Sequence, residues 1–138
     1  MLEITIPGKP VPKGRPRFRK VGNFVSAYTD EKTMGFENMV AWIAKQSLGN
    51  RQPTDQAVSV RCEFDVTPPA SWSNKKKQQA IAGLIFPVTR PDSDNLVKAI
   101  YDGMNKVVYL DDKQIVDGSF SKRYADRDET RVWVRLMA

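Results

Sequence analysis

Four acidic side chains and one lysine in the stretch 90–112, RPDSDNLVKAIYDGMNKVVYLDD, have the types and spacing that chemistry needs. Asp92 and Asp94 open the stretch, Asp111 and Asp112 close it, and Lys98 stands four residues after Asp94. On a helix that spacing lets an ammonium share a side with a carboxylate, and Asp102 continues the row. A bland reading exists for Asp94: it or Ser93 caps a helix, where free amides and the helix dipole favour negative charge. Capping uses one carboxylate and leaves Asp92, Lys98 and the Asp111/Asp112 pair unexplained. Clustered carboxylates repel unless a cation, a proton or distance relieves them, and a divalent metal would relieve these. The bland reading of Lys98 is an i, i+4 ion pair with Asp94 or Asp102, worth roughly 0.3–0.5 kcal/mol.

These residues need a frame to position them. Between the acids, Leu96, Ala99, Ile100, Gly103, Met104 and Val107 recur at the spacing of a core-facing helix. At the start of the chain Leu2, Ile4 and Ile6 alternate with polar residues, a short strand that Pro7 ends. Residues 8–29 hold Lys9, Lys13, Arg15, Arg17, Arg19 and Lys20 with no acid, and their prolines and glycines predict a loop or loose hairpin. Phe18, Phe24 and Tyr28 are interleaved with the cations, which suits phosphate contact with some base stacking. The bland alternative is a solvated basic loop.

Thr29, Asp30 and Glu31 signal a helix start, and Phe36, Met39, Val40, Ile43, Ala44 and Ser47 follow at helical spacing up to Gly49 and Asn50. Val58, Val60, Cys62, Phe64 and Val66 alternate with polar residues in the clearest strand, where Cys62 reads as packing and not as a nucleophile. Pro68 and Pro69 stop that strand, and a short basic helix follows, capped by Ser73 and carrying Lys75, Lys76 and Lys77. Residues 115–123 read as a strand. Val132, Val134 and Leu136 alternate with Arg131, Trp133 and Arg135 in another, and ADRDE between the two predicts a hairpin. The order predicts one domain over residues 1–138, of the α/β or α+β class, with a mixed sheet of about four strands packed with helices.

Composition narrows the function. At 138 residues and 41% hydrophobic content the chain can bury its own core. The formal net charge of +6 suits a polyanion such as nucleic acid better than a neutral substrate. One cysteine and no histidine exclude a disulfide framework, zinc-finger ligation, a Ser-His-Asp triad and any nuclease with a histidine base. No apolar run approaches the ~20 residues of a membrane span, and the N-terminus lacks the apolar run of a signal peptide, so the expected location is the cytoplasm.

The segments RPDSDNLVKAIYDGMN and LDDKQIVDG resemble the signature of the RusA family of Holliday-junction resolvases, small endodeoxyribonucleases common in prophages. The family pattern runs Asp-x-Asp-Asn-Leu-x-Lys and later Asp-Asp-x-Gln-Ile/Val. The basic PKGRPRF segment and the Tyr-Thr before the first helix are similar too. Ser93 stands where an aliphatic residue is common, and Pro87 departs from a segment that is often more polar; neither falls on a ligand position. The resemblance implies metal-binding carboxylates at Asp92, Asp94 and Asp112, a catalytic lysine at Lys98, and Asp111 just outside the ligand set.

Its implied cofactor is Mg2+, with Mn2+ as a substitute. That agrees with a hard ion held by a few carboxylates and phosphate oxygens. The DNA-binding candidates are Lys13, Arg15, Arg17, Arg19, Lys20 and Arg90. The expected partner is four-way junction DNA, whose two equivalent cuts suit a symmetric homodimer with Trp133 as a candidate contact and no membrane involved. A less selective flap or fork nuclease is the alternative enzyme, and a basic DNA-binding module without catalysis is the alternative of another class.

Overall fold

The computed structural model describes residues 1–137. In chain order its elements are β1 (Leu2–Pro7), β2 (Arg17–Val21), β3 (Phe24–Tyr28), α1 (Glu31–Leu48), β4 (Val58–Val66), α2 (Asn74–Ile81), α3 (Ser93–Met104), a 3-10 turn (Asp112–Gln114), β5 (Ile115–Tyr124) and β6 (Glu129–Leu136). Alternation builds the main sheet, a mixed α/β arrangement in the order β1-β6-β4-β5. Leu2, Ile4 and Ile6 of β1, Val58 to Phe64 at every second position of β4, and Val132 and Val134 of β6 turn inward and are buried. Cys62 is among them, and burial pushes its thiol up to about 12, which keeps it protonated and inert.

Helices α1 and α3 cover that inward face. The expected stripe on α3 is buried from Leu96 to Met104, while Val107 falls beyond the helix end and is only half-buried. Ser47 is exposed on α1, and Leu48 fills the core position beside it. The two helices meet at Gly103, where a Cβ would lie 2.8 Å from the Cβ of Val40. Asp30 caps α1 by accepting from the Thr33 amide at 3.4 Å, and Ser73 caps α2 by accepting from that of Lys76 at 3.2 Å. Helix α2 belongs to a second, smaller core in which Trp72 meets Tyr124 edge-on at 5.4 Å between ring centroids.

The expected β5–β6 hairpin does not form. Strand β4 lies between the two, with Val60 facing Gly118 of parallel β5 on one side and Val134 of antiparallel β6 on the other. The connection crosses the end of β4: the Ala125 amide donates to the Val66 carbonyl at 2.9 Å, and Asp128 accepts from the Thr67 amide at 2.7 Å. The physical reason lies in β4, whose long apolar face is most fully used in the sheet interior, where both edges are paired.

The opposite sheet face carries charge. Buried Asp65 accepts from Arg123 Nε at 2.8 Å and from Arg131 Nη2 at 3.0 Å. Half-buried Trp133 lies on this face beside a cavity of about 700 Å³ that Glu3, Arg61 and Arg135 also line. The basic segment resolves into a hairpin. Strands β2 and β3 pair from Arg17↔Tyr28 to Val21↔Phe24, Gly22 closes the turn at φ 60°, and all ten strand residues are exposed.

Candidate active site

Each of the predicted acids sits at an element boundary. Asp92 occupies the N-cap position of α3 without a side-chain capping bond, and neither Ser93 nor Asp94 replaces it as the cap. Asp94, in the first helical turn, is exposed and accepts from the Asn95 amide at 3.0 Å. The segment that delivers Asp92 is held from the neighbouring sheet, because Lys122 Nζ of β5 donates to the Thr89 and Pro91 carbonyls at 2.9 and 3.0 Å.

Asp112 begins the 3-10 turn, and a capping box sets that turn. The Asp111 carboxylate accepts from the Lys113 amide at 2.9 Å, while Gln114 Oε1 accepts from the Asp111 amide at 2.9 Å. The Lys113 amide holds the Asp111 carboxyl below its ordinary range. Gln114 Nε2 donates in addition to the Thr54 and Gln56 carbonyls, at 2.8 and 2.9 Å, so one glutamine ties the turn to the loop before β4.

Asp94, Lys98 and Asp112 line one cleft of about 410 Å³ between α3 and the helix-facing side of β5, with Val97, Tyr101 and Phe120 as its apolar walls. Tyr101 can lie against β5 because residue 118 is glycine: a Cβ there would come within 2.5 Å of its hydroxyl. Asp92 does not line that cleft. It borders a second one, of about 510 Å³, together with Lys13, Arg15, Arg90 and Asn95. Among the described residues no three acidic, histidine or cysteine side chains converge as a ready-made metal cage. The structure thus brings two of the three predicted ligands to a common cleft and places the third on a neighbouring wall.

The cations divide in the same way. Lys98 Nζ stands 3.6 Å from Asp102 and makes no ion pair with Asp94, and its side chain is 58% exposed. Such a pair is weak, so the ammonium can leave it at little cost. Lys13 is the opposite case. Its Nζ lies 2.6 Å from Glu37 and 3.1 Å from Asp102, with the side chain only 18% exposed. Burial alone would lower its pKa, but the bonds to Glu37 and Asp102 outweigh that and raise it. Lys13 thereby joins α1 to α3 and shares Asp102 with Lys98, while it still lines the cleft of Arg15 and Arg90. Arg15, Arg17, Arg19, Lys20 and Arg90 are exposed and form no ion pair among the described residues.

Sequence reasoning missed Asp102 as a shared acceptor, Gln114 as a clamp and Lys122 as a pin. Gln114 belongs to the Asp-Asp-x-Gln pattern, so a signal existed for it; Lys122 acts across a long sequence distance and had none. Chemically, Asp94 and Asp112 have no cationic partners among the described residues and offer the oxygen donors that a hard divalent ion takes, with space in the cleft for water and a phosphate. The donor set therefore fits a hard divalent ion through these two residues.

No helix among the described residues is long and apolar enough to cross a membrane. In comparisons with known proteins, the family model of endodeoxyribonuclease RusA matches residues 7–137. The uncharacterized protein YqaN of Bacillus subtilis (strain 168) is 36% identical over 138 residues, covering 97% of this chain and 95% of that protein.

Proposed function

Since the chain belongs to the RusA family of endodeoxyribonucleases, we propose that it is a magnesium-dependent enzyme that resolves four-way DNA junctions in the cytoplasm during recombination, repair or replication. The observation that carries this reading is the cleft shared by Asp94, Lys98 and Asp112. Asp94 and Asp112 would hold the ion, and Asp92 is assigned as a third ligand on the motif alone. When bound, the ion supplies Lewis-acid chemistry for phosphodiester hydrolysis, work for which a chain without histidine has no imidazole base.

The chain's own groups do the rest. Lys98 leaves its exposed contact with Asp102 and places an ammonium against the negative charge that builds on the phosphate in the transition state. Asp102 keeps that lysine at the cleft between turnovers and is itself held by Lys13. Arg15 and Arg90 border the cleft of Asp92 and steer phosphates toward it, and Arg17, Arg19 and Lys20 extend the track. A four-way junction needs two related cuts, and a homodimer through the Trp133 face supplies two sites on one axis.

The decisive experiment is cleavage of an end-labelled four-way junction, with linear, flap and fork DNA as controls, in magnesium and in excess EDTA. Paired symmetric cuts near the branch in magnesium, lost in EDTA while circular dichroism stays unchanged, are expected. Full-rate cutting in EDTA overturns the metal assignment, and equal cutting of flaps and forks replaces junction resolution with a less selective nuclease.

A further inference from the structure

A hairpin of ten exposed residues is an unusual use of chain, because an isolated two-stranded ribbon is marginal in water without something to pack against. This one is also greasy: near its tip Phe24 is 78% exposed and Val25 70%, and nearer its root Phe18 is 67% exposed. The pairing puts Phe24, Val21, Arg19, Arg17 and Tyr28 on one face and Phe18, Lys20 and Val25 on the other. Each face therefore mixes apolar or aromatic surface with unpaired cations, and no acid lies anywhere in residues 8–29. The Arg19 guanidinium already lies 5.5 Å from the centre of the Tyr28 ring, a stacked pair of the kind that also receives a base.

The ribbon is firmly rooted beside the catalytic cleft. Just before it, the Lys13 amide donates to the Asn95 carbonyl of α3 at 2.8 Å, and the Gly14 amide donates to Thr33 Oγ1 of α1 at 3.1 Å. Gly14 has no room for a side chain, since a Cβ would fall 2.5 Å from Asp30 Oδ1. Arg15 then lines the same cavity as Arg90 and Asp92. From that root, a strand of five residues reaches roughly 17 Å at ~3.4 Å per residue. At about 3.4 Å per stacked base, that length matches about five base steps.

We infer that the β2–β3 ribbon is a branch-point wedge: Arg17, Arg19 and Lys20 grip phosphates while Phe24 and Phe18 stack on bases that lose their stacking partners where DNA strands diverge. The identity of the partner rests on the nuclease reading above. Its chemistry follows from the ribbon itself, since only a ligand that is anionic outside and flat and apolar within satisfies both kinds of side chain. An intact duplex offers the phosphates but not the open base faces, so the wedge discriminates branched from continuous DNA.

The test uses binding in EDTA, where no cutting is needed. A four-way junction and a linear duplex of matching arm sequence are titrated with the wild type, with Phe18→Ala/Phe24→Ala and with Arg17→Ala/Arg19→Ala, and 2-aminopurine at the branch reports base stacking. The wild type is expected to prefer the junction and to change the 2-aminopurine signal. The phenylalanine variant is expected to lose roughly five- to hundredfold of junction affinity, the range for one base–aromatic stack, with duplex affinity nearly unchanged. The arginine variant is expected to weaken both DNAs together.

Unchanged junction affinity and probe response in the phenylalanine variant overturns the wedge. So does an equal loss on duplex, which makes the ribbon a groove reader, and so does a wild type without junction preference. Matching thermal melts exclude misfolding, since these side chains lie outside both cores. Failure of the wild type to cut junctions in magnesium would defeat the nuclease reading alone and leave the binding result standing.

Discussion

Replacing Asp94 with Asn keeps the size of the side chain and most of its hydrogen bonding but removes the charge that it brings to the cleft with Asp112. Junction cleavage is expected to fall by orders of magnitude in single-turnover assays, while affinity holds or rises because one negative charge near phosphates is gone. Normal cutting by this variant would remove Asp94 from the site. At this scale the cluster of acids could be read from residue type and spacing, while the choice of Asp112 over Asp111 rests on the family resemblance. Two features could not be read. Asp92 and Asp94 are only two residues apart, and on a helical path neighbours at that spacing project to different sides, which agrees with their lining different clefts. Lys13 looked like one more cation of a basic loop, because its partners Glu37 and Asp102 come from two distant helices.

Elements were legible wherever one periodicity dominated. The strict alternation of Val58–Val66 and the spacing from Leu96 to Met104 marked β4 and α3 without ambiguity. Pairing was less visible, since β5 and β6 alternate in the same way whichever strand lies beside them; the short ADRDE link suggested a hairpin that the position of β4 forbids. The contact between α1 and α3 shows how much one position can decide. Gly103→Ala gains about 1 kcal/mol of helix propensity, but it forces a methyl group against the fully buried Val40, and overpacking of this kind costs about 1–3 kcal/mol. The backbone carbonyl of Glu37, 3.2 Å from that methyl, leaves little room for relief. With the upper part of that cost, a net loss of up to about 2 kcal/mol is expected in urea unfolding. Cleavage is expected to fall as well, since separating these helices pulls Glu37 and Asp102 apart around Lys13. A variant as stable as the wild type would show that the helices can part freely.

For the whole molecule, the charge of +6 falls unevenly. Among the described residues the ribbon and the Asp92 cleft carry cations without ion pairs, whereas the open sheet face pairs Arg123 and Arg131 with Asp65. A face with neutralised charges and a half-buried Trp133 suits contact with a second copy better than contact with DNA. Sedimentation at micromolar concentration is expected to give a dimer, and Trp133→Glu a monomer with its fold intact. A wild-type monomer that still makes paired cuts overturns this arrangement.

The place of β6 in the sheet bears on protein synthesis. Asp94, Lys98 and Asp112 are all translated before this strand, yet β6 occupies the middle of the sheet, and it alone joins β1 to β4. Until Leu136 has been made, β1 has no neighbour and β4 has one open edge. A chain stopped at Asp128 is accordingly expected to show no cooperative melting and no cleavage, although it contains every residue assigned to chemistry. On that expectation, the order of its strands would keep an unfinished copy of this nuclease from cutting DNA, without an inhibitor.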